Sequence, residues 1–173
     1  MKLTKMETSP RLQIDTTVGT RVFAGSQMIF GDTGLRRLAS WGTDGVDVPS
    51  FIQGLEPAEI VSYKPGGIWI RRIGATVILK VAYAKATQLN PTISPFPNGF
   101  GGSQAGVPYP AAPIAYKQDG VYKFSTMEIG QSLYRFRVPQ GAEITTEGAG
   151  GYSVEISWTT SQPWPTSLPG TPA

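Results

Sequence analysis

Residues 66–83 read GGIWIRRIGATVILKVAY, two strand-length runs joined by Gly74-Ala75. A glycine at the first position of a two-residue turn supplies the positive φ that a type II′ hairpin requires. On the second run Val77, Leu79, Val81 and Tyr83 share one face, and Thr76, Ile78 and Lys80 share the other. On the first run Ile68 and Ile70 alternate with Trp69 and Arg71. One face is built for a core, and the other turns an aromatic ring and a cation toward the surface. This unit points to an antiparallel sheet.

The same alternation recurs towards the C-terminus. Residues 121–129 and 132–138 flank Gly130-Gln131, a second glycine-first hairpin, in which Tyr134, Phe136 and Val138 alternate with Arg135 and Arg137. Ala142, Ile144 and Thr146 alternate with Glu143, Thr145 and Glu147. Beyond the turn at 148–151, Tyr152, Val154, Ile156 and Trp158 alternate with Ser153, Glu155, Ser157 and Thr159, which puts Trp158 in the core. Earlier in the chain, residues 20–30 are strand-like with a turn or bulge at Gly25-Ser26, and residues 31–34 form a turn cluster. A helical turn is expected at 35–40, loops over 42–66 and a short strand at 58–63. About seven or eight short strands at this spacing give an all-β fold, an antiparallel β-sandwich or jelly-roll-like barrel.

Gly (21) and Pro (15) make up about a fifth of the 173 residues, which disfavours helices and favours strands joined by turns and irregular loops. The breakers are densest over residues 86–118, where no regular element is expected and the aromatics favour an ordered surface loop. The organisation read from this is a polar N-terminal arm or edge segment at 1–18, one sandwich domain at 19–160, and an extended Pro-rich tail at 161–173 in which Trp164 is an apolar anchor.

The chain contains no cysteine and no histidine, which excludes disulfides, thiolate and histidine metal sites, and every triad that needs either residue. No cofactor is expected. The net charge of +3 is small and scattered, so nucleic acid is not an expected partner. The opening MKLTKMETSPRLQIDTT has no apolar h-region, and no run approaches the roughly 18 apolar residues that cross a bilayer, so the expectation is a soluble chain made in a cytoplasm without membrane insertion.

Twelve carboxylates could in principle supply a glycosidase pair, because that chemistry needs no histidine. Glu143, Glu147 and Glu155 fall on outward strand faces, and Asp32 and Asp44 sit in turn sequences where aspartate bonds to nearby backbone. Asp44 and Asp47 could hold calcium through oxygen, although the segment lacks the ligand periodicity of an EF-hand. The aromatics point to recognition instead. Rings in loops or on an outward strand face stack on sugars or bury against a partner at low entropic cost, and the alternative for any single ring is that it plugs the end of the sandwich. The contact candidates are Trp41, Trp69 with Arg71, Phe96, Phe100, Tyr109, Tyr116 and Trp164.

Three segments together carry a family pattern: GDTGLR at 31–36, GIWIRRIG at 67–74 running into Thr76-Val77, and SWTT at 157–160 followed by Pro163-Trp164-Pro165. In this combination the chain resembles the minor tail proteins of phages that infect actinobacteria. The resemblance covers roughly residues 20–85 and 120–170, and it departs from the family pattern at Leu35, where an aromatic usually follows the glycine. It implies a β-rich, trimeric virion module at the tail tip or on a fibre, assembled in the host cytoplasm with other virion proteins, that contacts the host cell wall and is not an enzyme. Multivalent glycan binding through loop aromatics is the expected mechanism. The alternatives are a capsid decoration or head-fibre protein held by its N-terminal arm, and a glycan hydrolase.

Overall fold

The computed structural model describes residues 11–42, 45–58, 66–95, 98–102, 111–130, 133–144 and 153–173, and every regular element within them is a strand. In chain order these are β1 (Leu12–Asp15), β2 (Thr20–Ala24), β3 (Gln27–Asp32), β4 (Arg36–Gly42), β5 (Gly45–Asp47), β6 (Ile52–Gln53), β7 (Leu55–Pro57), β8 (Gly66–Ile73), β9 (Thr76–Ala82), β10 (Ala84–Ala86), β11 (Thr92–Ile93), β12 (Ala111–Gln118), β13 (Val121–Ile129), β14 (Tyr134–Phe136), β15 (Glu143–Ile144), β16 (Ser153–Thr159) and β17 (Thr171–Pro172).

Two antiparallel sheets enclose one core. In the first, β8 pairs with β9 along one edge and β9 pairs with β16. On the other edge of β8, β4 pairs along residues 66–70 and β3 joins at Ile73. Beyond β3 lie β2 and β1. The hairpin forms as its sequence dictates: Gly74 has φ +55, Ile73 pairs with Thr76, and Ile68, Ile70, Val77, Leu79 and Val81 are fully buried. The second sheet runs β6-β11-β14-β13-β12-β15-β10-β7. Its two end strands are separated in sequence by Gly54 alone, so the sheet curls nearly into a barrel. Tyr83, at φ +54, is the corner at which the chain leaves β9 of one sheet and enters β10 of the other.

The inner faces meet through Val154, Ile156 and Trp158 on one side and Ile114, Met127, Ile129, Tyr134, Phe136 and Ile144 on the other. Tyr134 and Trp158 pack edge-to-face with centroids 5.1 Å apart, and both donate to the carbonyl oxygen of Phe100, at 2.6 and 3.0 Å. Phe100 itself is fully buried. Both polar tips are thereby satisfied in an apolar setting, which aromatic burial demands.

Several segments differ from the sequence expectation. Residues 35–40 are mostly strand β4, not a helical turn. A bulge between Arg37 and Ala39 buries two consecutive residues, Leu38 and Ala39. With Leu35 these stand at i, i+3 and i+4, which imitates a helix stripe. The breaker-rich stretch does hold regular structure, in β11 and β12. Pro113 is accommodated in β12 opposite Thr126 because β15 reaches only Tyr116 and Lys117, so the strand has one neighbour at the proline. The second hairpin has Ile129 opposite Tyr134, and the Gly130 N–H donates to the Leu133 carbonyl at 2.7 Å, so Gly130 belongs to the ladder and is not the first residue of the turn. The tail also adds to a sheet: Thr171 and Pro172 pair with Arg37 and Arg36, as an edge position permits for proline. The expected strand at 58–63 lies almost wholly outside the described residues.

Candidate contact surfaces

Trp69 and Arg71 stand on the outward face of β8, as their alternation with Ile68 and Ile70 requires. Neither is a free probe. Trp69 is half-buried against the core, with its ring close to Gly67, where an added Cβ would approach the indole to 3.0 Å. Arg71 grips Asp32 through both guanidinium arms, at 3.0 and 2.5 Å. The bond from Arg71 is the chief reason the Asp32 carboxyl lies below its usual range, and the Gly34 N–H, which donates at 2.8 Å, adds to it. Residues 31–34, expected as a turn cluster, are the end of β3 and the two residues after it, and they are thereby tied to the hairpin.

Directly beneath lies Arg72, on the inner face and almost fully buried. Its Nε donates to the Gly74 carbonyl at 2.8 Å, one Nη to the carbonyls of Gly99 and Pro163, the latter at 2.8 Å, and the other Nη to that of Gln162 at 3.0 Å. Burial pulls its pKa down, yet an arginine stays charged, and backbone dipoles rather than a carboxylate balance this cation. Gln162 completes the junction by accepting the N–H groups of Gly99 and Gly101 at 2.6 and 3.0 Å.

Trp164 docks on its own domain. Its indole N–H donates to the Val18 carbonyl at 3.0 Å, its ring covers Gly31, and the Arg72 guanidinium stands 5.1 Å from its centre. The expectation of an apolar anchor holds, and the surface it holds is internal.

Three further candidates do not face outward. Trp41 is only 2% exposed and lies against Gly66, because its strand is fastened to β8 and its ring falls on the core side. Phe100 plugs the core as described above. Tyr116 is buried because β12 continues through it, with Ile114 on the same face. Phe96 and Tyr109 lie outside the described residues. Among the described residues the most exposed aromatic surface therefore lies elsewhere.

That surface is the outer face of the β12–β13 hairpin. The hairpin turns at Asp119-Gly120, with φ of +52 and +78, the two positive values of a type I′ turn. Met127 and Ile129 point inward, so parity turns Tyr122 and Phe124 outward, and Phe124 is 84% exposed. Phe124 sits opposite Ala115, and Tyr122 sits opposite Lys117, whose ammonium lies 5.6 Å from the Tyr122 ring centre. Further along the same face Glu128 holds Arg137 at 2.6 Å and Arg135 at 3.5 Å. Asp119-Gly120 and the parity of Met127 were the available sequence signals for this face. Among the described residues no three Asp or Glu stand together as a metal site.

Compared with known proteins, the chain matches no family model, no curated protein and no solved structure. Its class rests on its own architecture: an all-β sandwich of two antiparallel sheets, one of them curled nearly into a barrel.

Proposed function

We propose that the chain is a structural protein of a phage virion, a minor tail protein at the tail tip or fibre, which contributes to attachment to host cell-surface glycan by binding and not by bond cleavage. The observation that supports the reading is the meeting of the three segments on which the resemblance stands. Asp32 of the first holds Arg71 of the second, the backbones of Thr33 and Arg72 bond at 2.9 Å, and Arg72 reaches the Pro163 carbonyl beside Trp164. Residues far apart in sequence thus form one structural unit, as a family-wide pattern without catalytic groups would.

In this reading the partners are further copies of the chain, in the three-fold arrangement the resemblance implies, other virion proteins, and a wall polysaccharide. The rings that would meet the sugar are Phe124 and Tyr122, with Lys117 and Arg137 flanking them for hydrogen bonds to hydroxyls. Each contact would be weak, and repetition around the particle would supply avidity. Sedimentation of the full chain with purified host wall polysaccharide tests this. The expected result is co-sedimentation that Phe124→Ser abolishes, with no reducing ends released. Release of reducing ends, or binding indifferent to Phe124→Ser, contradicts it.

A further inference from the structure

The N-terminal end of the first sheet is unusually unguarded. β1 is the last strand in its row, and among the described residues it pairs with β2 alone. Leu12 and Ile14 are 68% and 72% exposed. Natural edge strands are normally blunted by short length, charge, proline or a bulge; β1 (LQID) is short and ends on the charged Asp15, but it has no proline and no bulge, since the bulge of this wing lies between β2 and β3.

The direction of its backbone groups can be read. The Gly25 N–H donates to the Arg11 carbonyl at 3.4 Å, so the polar groups of Arg11, Gln13 and Asp15 face β2. By the alternation of an antiparallel ladder, the N–H and C=O of Leu12 and Ile14 point away from the sheet, and among the described residues no strand receives them.

We propose that β1 is a self-pairing edge: two copies of this chain join antiparallel about Gln13, with Leu12 of each opposite Ile14 of the other. The residues 11–15 read Arg-Leu-Gln-Ile-Asp, which is apolar-symmetric and charge-antisymmetric about its centre. In that register the outward groups of Leu12 and Ile14 satisfy one another, and Arg11 of each copy meets Asp15 of the other, twice. Sliding the second strand so that Leu12 meets Leu12, or Ile14 meets Ile14, keeps the backbone bonds but loses both charge pairs. Charge complementarity therefore selects the register.

Asp15 can accept the added partner. Its Oδ1 takes the Thr17 N–H at 2.8 Å and its Oδ2 takes Arg21, which leaves lone pairs for a second guanidinium. The result is a ladder of alternating charge on one face. On the other face the row Phe30, Val22, Ile14 continues into Leu12 and Ala24 of the second copy, joining the β1–β2–β3 wings of the two copies across a two-fold axis. The inference stands apart from the proposed function, and the two-fold contact is distinct from any three-fold packing: it would pair whatever unit the other contacts build.

Sedimentation equilibrium of the full chain, over a micromolar to sub-millimolar series, tests it. Wild type should show a mass that doubles with concentration. Arg11→Asp should hold the lower mass, with association weakened about tenfold or more, because like charges then face each other twice. Leu12→Pro should do the same, since it removes an outward donor without touching a β1–β2 bond. The charge-reversed D15R/R21D variant preserves the internal pair, and mixed with R11D it should restore doubling. Circular dichroism confirms that each variant is folded. A wild type of constant mass, an R11D or L12P variant that doubles as wild type does, or a mixture that fails to double would each overturn the proposal.

Discussion

The Arg72 guanidinium stands 5.1 Å from the centre of the Trp164 ring, and this contact fastens the middle of the first sheet to the C-terminal segment. Arg72 also donates to four backbone carbonyls drawn from the hairpin turn, the loop at Gly99 and the tail. Removing it strands those acceptors. Arg72→Ala should cost about 3 kcal/mol or more in urea denaturation, and Arg72→Lys should recover only a minor part, because an ammonium cannot fork toward carbonyls in several directions. A loss below about 1 kcal/mol for Arg72→Ala would contradict the clamp.

Gly31 makes room for that tail. A Cβ at this position would stand 2.5 Å from the Trp164 ring, so Gly31→Ala must displace the indole from its bond to Val18. We expect a destabilisation of about 2 kcal/mol and a red shift of tryptophan emission. Unchanged emission and stability would mean that Trp164 is not seated there.

Asp32 links stability to acid pH. Its carboxyl titrates below the usual range, chiefly through the bond from Arg71, so the stabilisation is present above about pH 4 and fades as pH falls through the depressed value. Arg71 is partly exposed, so the effect should be at most about 1 kcal/mol. Asp32→Asn should therefore be less stable than wild type at pH 7 and nearly equal to it at low pH. An equal gap at both ends would remove the ion pair from the account.

Tyr134 acts at the opposite end of the scale. Burial pushes its phenol well above its ordinary pKa near 10. Its stabilising share is complete below about pH 10 and declines as pH rises beyond the unfolded value, where the unfolded chain ionises first. Tyr134→Phe should lose about 1 kcal/mol at neutral pH, since the bond to Phe100 goes while Trp158 still donates to that oxygen. Its stability should then fall less steeply than wild type in alkali. An identical alkaline slope would contradict the burial assigned to the phenol.

Phe124 supports nothing in the fold. Phe124→Ser should leave the denaturation midpoint within about 0.5 kcal/mol of wild type. A larger loss would mean that the ring packs against a neighbour, and the outer face of this hairpin would cease to be a contact surface.

The sequence and the fold agree where pattern and pairing share a period. In the 66–83 hairpin every residue from Ile68 to Val81 falls on the face its parity assigns; what parity leaves unexplained is that one inner position holds a cation, Arg72, two of whose partners, Gly99 and Pro163, lie 27 and 91 residues away. No local signal reports such partners. The β4 segment was illegible because its bulge puts Leu38 beside Ala39 on the core side, breaking alternation. Trp41, Phe100 and Tyr116 looked like surface rings because glycine and proline surround them, yet each is covered by elements distant in sequence. Phe124 was readable in principle, since counting back from Met127 turns it outward.

The most direct measurement of the functional account is gold-labelled antibody against this chain, bound to intact particles that carry it and viewed by electron microscopy. The account predicts label at the tail tip or fibre. Label on the capsid would contradict it.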